Sequence, residues 1–225
     1  MYSKISNITQ KCVNLLMPFL SEYSAKISAS ELSKKTNIPQ QTISRNLNEL
    51  SKFGLIEFKL LGKNKLFYFD LKKSTSTIIL KILENHKSLI FYEKNLKLSV
   101  ILDELLINAQ SIIVFGSYAS GTNKKESDLD IVIINGNKSE IRKIKNKYFV
   151  DINEHYFTLE SFEEMLGQEE PLLIEMKNNH VLLGKTEEII DLFKNEKRKD
   201  FVVSKKERRN KYNRNKATSK RILHE

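Results

Sequence analysis

Two short apolar runs, Ile112-Ile113-Val114-Phe115 and Ile131-Val132-Ile133-Ile134, bracket a polar stretch that opens on Gly116-Ser117 and closes on Asp128-Leu129-Asp130. Runs of that length, with no polar residue alternating, read as buried strands. The second strand is entered through two carboxylates at i and i+2, which project from the same face. Asp128 and Asp130 are therefore close enough to share a hard divalent cation through oxygen ligands. Gly116 lets the backbone approach a ligand where a Cβ would stand in the way, and backbone N–H groups around Ser117 could hold phosphate oxygens. A strand, a phosphate-gripping turn and an acidic pair together make a site for a metal and a nucleotide.

The segment SIIVFGSYASGTNKKESDLDIVII resembles the signature of the DNA polymerase β-like nucleotidyltransferase superfamily, and in particular the minimal, MNT-type nucleotidyltransferases of bacteria and archaea. The resemblance covers roughly residues 97–193, since PLLIEMKNNHVLLGKTEEIIDLF is similar to the family's closing helix, short strand and helix. It implies a third carboxylate on a following strand. Asp151, in Tyr148-Phe149-Val150-Asp151-Ile152, stands in that place, after an amphipathic stretch carrying Ile141 and Ile144. It further implies that Asp128, Asp130 and Asp151 are catalytic and hold Mg2+ or Mn2+, and that Gly116 and Ser117 grip a nucleoside triphosphate, with ATP the expected one. One departure stands out. Many relatives carry a basic residue in the loop after Gly-Ser, whereas this loop reads Tyr118-Ala119-Ser120-Gly121 and the nearest cations are Lys124 and Lys125.

Residues 1–74 follow a different pattern. Ile5, Ile8, Cys12 and Leu15 or Leu16 form a helical stripe over 4–17 that Pro18 should end or kink. Ser28 and Glu31 form a capping box that opens a short helix with Leu32 inward. Pro39 suits a first helical position, and from Gln40 to Lys52 the residues Ile43, Leu47 and Leu50 share one face, with Gly54 as the stop. LIEFKLL and KLFYFDL, joined through Gly62-Lys63-Asn64-Lys65, read as a hairpin. Helix, helix, turn, helix, hairpin resembles the winged helix-turn-helix domains of many prokaryotic transcriptional regulators, which implies duplex DNA as a partner. The outward face of the third helix offers Gln40, Gln41, Ser44, Arg45 and Asn48 to base edges or phosphates, and Lys63 and Lys65 are expected at the wing tip.

Residues 75–108 read as helical throughout, with Ile79, Leu83, Ile90, Val100 and Leu105 on apolar faces. Residues 75–96 are expected to be a connector or a dimerisation element, which makes a homodimer one expected assembly; no chemistry is visible there. Charge divides the chain further. Residues 1–70 carry 10 Lys+Arg against 5 Asp+Glu, residues 71–193 carry 15 against 19, and residues 194–225 carry 13 against 4. The tail at 194–225 is either a solvated, partly disordered extension or an arm that binds a polyanion.

The rest narrows the class. The single Cys12 excludes an intramolecular disulfide and a four-thiolate zinc module, and it is expected to be core. His86, His155, His180 and His224 lack metal-ligand spacing; His155 could line the acidic site but is read as structural. No apolar run approaches the roughly 18 residues of a membrane helix, and no leader is evident at MYSKISNITQ, so a cytoplasmic protein without a membrane partner is expected. The expected fold is α+β: an N-terminal winged helix-turn-helix, then a nucleotidyltransferase fold at 97–193 with a mixed sheet flanked by helices. The expected function is metal-dependent transfer of a nucleoside monophosphate to a hydroxyl acceptor. That acceptor could be a toxin-like partner protein, as in antitoxin relatives, or RNA or a small molecule. The alternative is a transcriptional regulator whose nucleotidyltransferase domain only senses nucleotide.

Overall fold

The computed structural model describes residues 10–148, 151–168 and 170–195. The stripe residues Ile5 and Ile8, and the basic tail beyond 195, lie outside them. The N-terminal part begins with α1 (Gln10–Leu16), which passes into a 3-10 turn at Met17–Ser21. Pro18 lies at the start of that turn, where a missing N–H costs no hydrogen bond. A short strand, β1 (Ile27–Ser28), leads into α2 (Ala29–Thr36) through the capping box: Glu31 N–H donates to Ser28 Oγ over 3.2 Å, and Ser28 N–H to Glu31 Oε2 over 2.7 Å. Helix α3 (Gln40–Lys52) buries Ile43, Leu47 and Leu50. Pro39 caps it from an extended conformation, ψ 135°, rather than forming its first residue. Gly54, at φ 68°, ends it, and Leu55 N–H returns to Leu50 O over 3.0 Å. Strands β2 (Glu57–Leu61) and β3 (Asn64–Tyr68) turn at Gly62-Lys63, with Gly62 at φ 59°. The sheet order is β1-β3-β2, all antiparallel.

The stretch 75–108 is two helices, α4 (Ser74–Lys94) and α5 (Leu96–Ile107), broken at Asn95. Asn95 leaves the helical region at φ −127°, ψ 48°, while its side-chain amide donates to Phe91 O over 2.9 Å. A short polar side chain of this kind competes with the helical ladder. One further expectation is corrected here: Val100 faces outward at 54% exposure. In addition, α4 buries a carboxylate, Glu84, on the face that packs inward beside Leu80, Leu83 and Phe91.

The second sheet runs β6-β5-β4-β7, built from β4 (Ser111–Val114), β5 (Leu129–Ile134), β6 (Ile152–Phe157) and β7 (Val181–Gly184). β4 is antiparallel to both neighbours, whereas β5 and β6 are parallel, joined across α7 (Lys138–Lys147). Alternation divides the sheet's apolar residues. Ile112, Val114, Leu129, Ile131, Ile133 and Ile152 share a core with Leu102 and Leu105 of α5 and Ile141 of α7. Ile113, Val132, Ile134 and Leu182 share the other with Leu80 and Leu83 of α4, Phe162 of α8 (Leu159–Met165), Leu173 and Met176 of α9 (Pro171–Asn178), and Ile189 and Ile190 of a helix over 186–195. With both faces covered, the strands need no polar alternation, which is why they appear as unbroken apolar runs in the sequence. The second core continues without interruption into Phe19, Leu32, Ile43 and Leu47 of the N-terminal part. No helix among the described residues is long and apolar enough to cross a membrane.

Candidate active site

The site residues gather where β4 ends and β5 and β6 begin. After Val114 and Phe115, Gly116 takes φ 67°, and the short helix α6 (Gly116–Ser120) starts there. Only glycine tolerates this position, for two reasons. The left-handed φ disfavours a side chain, and a Cβ would lie 2.5 Å from Asp130 Oδ2. Ser117 is the second residue of α6; its carbonyl accepts from Thr122 N–H over 2.9 Å and from Ser120 Oγ over 3.1 Å, which closes the loop back on itself. The first N–H groups of such a helix lack intrahelical partners.

On the β5 side, a turn in which Lys124 N–H donates to Ser127 Oγ over 2.8 Å delivers Asp128, exposed, to the head of the strand. Leu129 is buried on the opposite face, so Asp128 and Asp130 flank it on one side of the sheet. Asp151 precedes β6, and its carbonyl accepts from Leu129 N–H over 2.8 Å, which sets it across from Asp128. Asp130 pairs in register with Asn153, whose side-chain amide donates to Asp130 Oδ1 over 3.1 Å. Of the predicted residues, Gly116 lies against the Asp130 carboxylate with Ser117 next in the chain, while Asp128 and Asp151 stand at the entries to β5 and β6. Phe149 and Val150, which the sequence placed on the strand before Asp151, lie outside the described residues.

The donor chemistry fits a hard cation: oxygen ligands, two on one strand face and one on the adjacent strand. Among the described residues, no group of three or more His, Cys, Asp or Glu side chains is arranged to hold a metal ion. Mg2+ is generally held by one or two carboxylates together with substrate phosphates, so an open pair suits it. His155 occupies the same face of β6 two residues beyond Asn153, half-buried, with its ring 6.0 Å from that of Phe115. Lys124 and Lys125 are exposed on the turn before Asp128.

This arrangement matches what comparison finds: a family model described as a nucleotidyltransferase domain covers residues 96–224, more than half of the chain. The chain belongs to the nucleotidyltransferase domain family. Comparison with curated proteins and with solved structures gives no match. Membership brings nucleotidyl transfer as the general chemistry, and the Gly-Ser turn and acidic edge of this nucleotidyltransferase fall inside the matched span. The match begins at Leu96, the first residue of α5, whose Leu102 and Leu105 pack under the β6-β5-β4-β7 sheet.

Elsewhere, the polar residues chosen on α3 fall on one open surface. Gln40, Gln41, Ser44, Arg45 and Asn48, with Pro39, line a shallow groove of about 720 Å3. Lys63 is exposed in the hairpin turn. Lys65 is not at the tip: it lies inside β3, its ammonium donates to Asn48 Oδ1 over 2.6 Å, and it sits 4.2 Å from the Phe58 ring centroid. Two groups escaped the sequence reading. Asn153 could have been found by carrying strand alternation two residues past Asp151. The second group is a buried network: Glu84 Oε1 accepts from Tyr23 OH over 2.6 Å and faces His180 Nε2 at 3.0 Å, while His180 Nδ1 lies 3.0 Å from Met176 O. Glu84 is 0% exposed and His180 2%. Nothing in residue spacing joins positions this far apart.

Proposed function

We propose that this chain is a metal-dependent, MNT-type nucleotidyltransferase that moves a nucleoside monophosphate from a nucleoside triphosphate, with ATP expected, to a hydroxyl acceptor. What supports the reading is one juxtaposition: Asp128 just before β5 and Asp130 within it, Asp151 just before the adjacent β6 with its carbonyl accepting from Leu129 N–H, and Gly116 against the Asp130 carboxylate. Asp128 and Asp130 present the oxygens that would hold Mg2+ or Mn2+. When bound, the cation neutralises triphosphate charge and aligns an in-line displacement. Gly116 and Ser117 offer backbone N–H groups to phosphate oxygens at the entry to α6, while the space left by the absent Gly116 Cβ is taken by the Asp130 carboxylate. Asp151 would complete a second metal position and take the proton of the acceptor hydroxyl as the hydroxyl oxygen forms a bond to the α-phosphorus; the bond to the bridging oxygen breaks, and pyrophosphate leaves with that electron pair. Lys124 and Lys125, on the turn preceding Asp128, are the described cations closest in sequence to the Gly-Ser loop.

The N-terminal part is read as a winged helix-turn-helix, with the groove along α3 facing duplex DNA and Lys63 at the wing tip on a phosphate. The acceptor is proposed to be a partner protein hydroxyl, in the manner of an antitoxin that modifies its toxin. Incubating the full chain with each labelled nucleoside triphosphate and Mg2+, alone and with the product of the neighbouring gene, tests the reading. Label transfer supports it. Nucleotide binding without transfer to any acceptor, together with nucleotide-shifted DNA affinity, would hand the function to a sensor. One observation favours keeping that second reading: α4 carries Glu84, which bonds Tyr23 of the N-terminal part and His180 beside β7 at once.

A further inference from the structure

Asp130 has two oxygens, and the structure treats them differently. Oδ2 lies against Gly116, in the space a Cβ would otherwise take. Oδ1 faces Asn153, directly across the parallel β5–β6 pair, and accepts from its Nδ2 over 3.1 Å. The amide must present its nitrogen here, because an amide oxygen set against a carboxylate would be repelled. Leu129 and Ile152, one residue back on each strand, are buried on the other face, so the register that brings Asn153 opposite Asp130 is fixed by core packing. A carboxylate at 153 would set like charges opposite one another, and an apolar residue would leave Asp130 free to rotate about its last torsion.

We infer that Asn153 is a positioning residue for the catalytic edge: its amide holds Asp130 by one oxygen, so that the carboxylate plane is set before a cation arrives. The inference rests on the metal-dependent reading above. Groups that hydrogen-bond a metal-ligating side chain fix its orientation, and losing one typically weakens metal affinity by about 10–100-fold. Asn153 does not touch the reacting atoms. It acts through Asp130, so its removal should be felt as a demand for more metal rather than as lost chemistry. Sequence spacing alone gave Asn153 no role, since the resemblance assigns only the residue two positions before it.

The test uses the full chain and Mn2+, whose binding is read by electron paramagnetic resonance with a non-hydrolysable triphosphate analogue present. Asn153→Ala is expected to weaken Mn2+ binding roughly tenfold, with the thermal midpoint unchanged, because the side chain is exposed. Asn153→Gln keeps an amide donor on a longer stem and should recover part of the loss. In turnover, raising Mg2+ should restore the rate of Asn153→Ala towards wild type at an unchanged KM for the nucleotide. Wild-type Mn2+ affinity in Asn153→Ala, alongside a clear loss in Asp130→Asn, overturns the positioning role and leaves the metal site standing. Wild-type affinity in Asp130→Asn as well overturns the metal reading itself. A rate loss that no metal concentration repairs also overturns the inference.

Discussion

Asp130 Oδ2 lies 2.5 Å from the point where a Cβ on Gly116 would stand, so the turn after β4 and the acidic strand β5 interlock with no room for a methyl group. Gly116→Ala therefore meets two costs: a side chain at φ 67°, about 1–3 kcal/mol for a residue forced into that region, and a carboxylate that must move. Stability measured by urea denaturation should fall by that amount. Nucleotidyl transfer should fall by far more, because Asp130 leaves its place. A variant with full transfer activity would show that the close approach has no bearing on catalysis.

A second relationship is structural rather than catalytic. Glu84 sits fully buried, with Oε1 bonded to Tyr23 and His180 and no partner on Oε2 among the described residues. Removing the partner of a buried, ionised carboxylate costs roughly 3–5 kcal/mol, because its charge is left uncompensated. His180→Ala should approach that figure, while Tyr23→Phe, which removes one donor, should cost about 1–3 kcal/mol. Tyr23 belongs to the core that also holds Leu83, Met176 and Leu182, and Glu84 and His180 are buried with it, so both losses should appear in a single cooperative transition. A separate early transition confined to residues 10–70 would contradict this.

The same network has a pH signature. Burial pushes the Glu84 carboxyl up, but the charge and hydrogen bond of His180, the charge of Lys87 and the Tyr23 hydroxyl outweigh it and hold the group below its ordinary 4.5. A carboxyl depressed by folding contributes stability that is complete above its unfolded value and is lost as pH falls through the folded one. Wild type should therefore lose unfolding free energy more steeply than Glu84→Gln as the pH falls below the ordinary carboxyl value of 4.5. Parallel curves for the two proteins would remove Glu84 from the acid response.

What the sequence disclosed followed from how local each signal was. The capping box at Ser28 and Glu31, the α3 face of Ile43, Leu47 and Leu50, and the strands around Gly116 and Asp128-Leu129-Asp130 all depend on neighbours within a turn or one strand. The break at Asn95 was missed because apolar residues continue on both sides of it, and only the backbone angle reveals it. Lys65 was expected at a tip and lies within β3, since the turn is the two residues Gly62-Lys63 rather than four. Glu84 and His180 were unreadable as partners: 96 positions separate them, and each alone is an ordinary helical or loop residue. Asn153 was readable in principle, yet its meaning required the parallel register with β5.

For the α3 groove, Arg45 is the exposed guanidinium among the chosen residues, whereas Asn48 is already engaged by Lys65 and by Ser44 O at 2.7 Å. Arg45→Ala is expected to lower discrimination between duplexes by about 1–3 kcal/mol, the scale of one good base contact. Lys63→Ala should weaken all duplexes alike and reduce the salt slope by about one. Lys65→Ala should change binding mainly by releasing Asn48. Fluorescence anisotropy over a salt series separates the three, and an Arg45→Ala variant that binds every duplex like wild type would remove α3 from DNA recognition.

The last prediction separates roles among the carboxylates. Asp128 immediately precedes β5 and Asp130 lies within it, on either side of the buried Leu129, so Asp128→Asn should remove a charged oxygen ligand and weaken metal-dependent nucleotide binding and turnover together. Asp151 comes from the neighbouring strand and is assigned to the acceptor's proton, a task performed only as the new bond forms. Asp151→Asn should leave nucleotide affinity nearly intact and raise the barrier by about 2–4 kcal/mol, which is the pattern of a group acting chiefly in the transition state. Equilibrium binding of a non-hydrolysable analogue with Mg2+, set beside single-turnover rates, distinguishes the two. If Asp151→Asn loses affinity as severely as Asp128→Asn, Asp151 is a third ligand of the same cation rather than the base for the attacking hydroxyl.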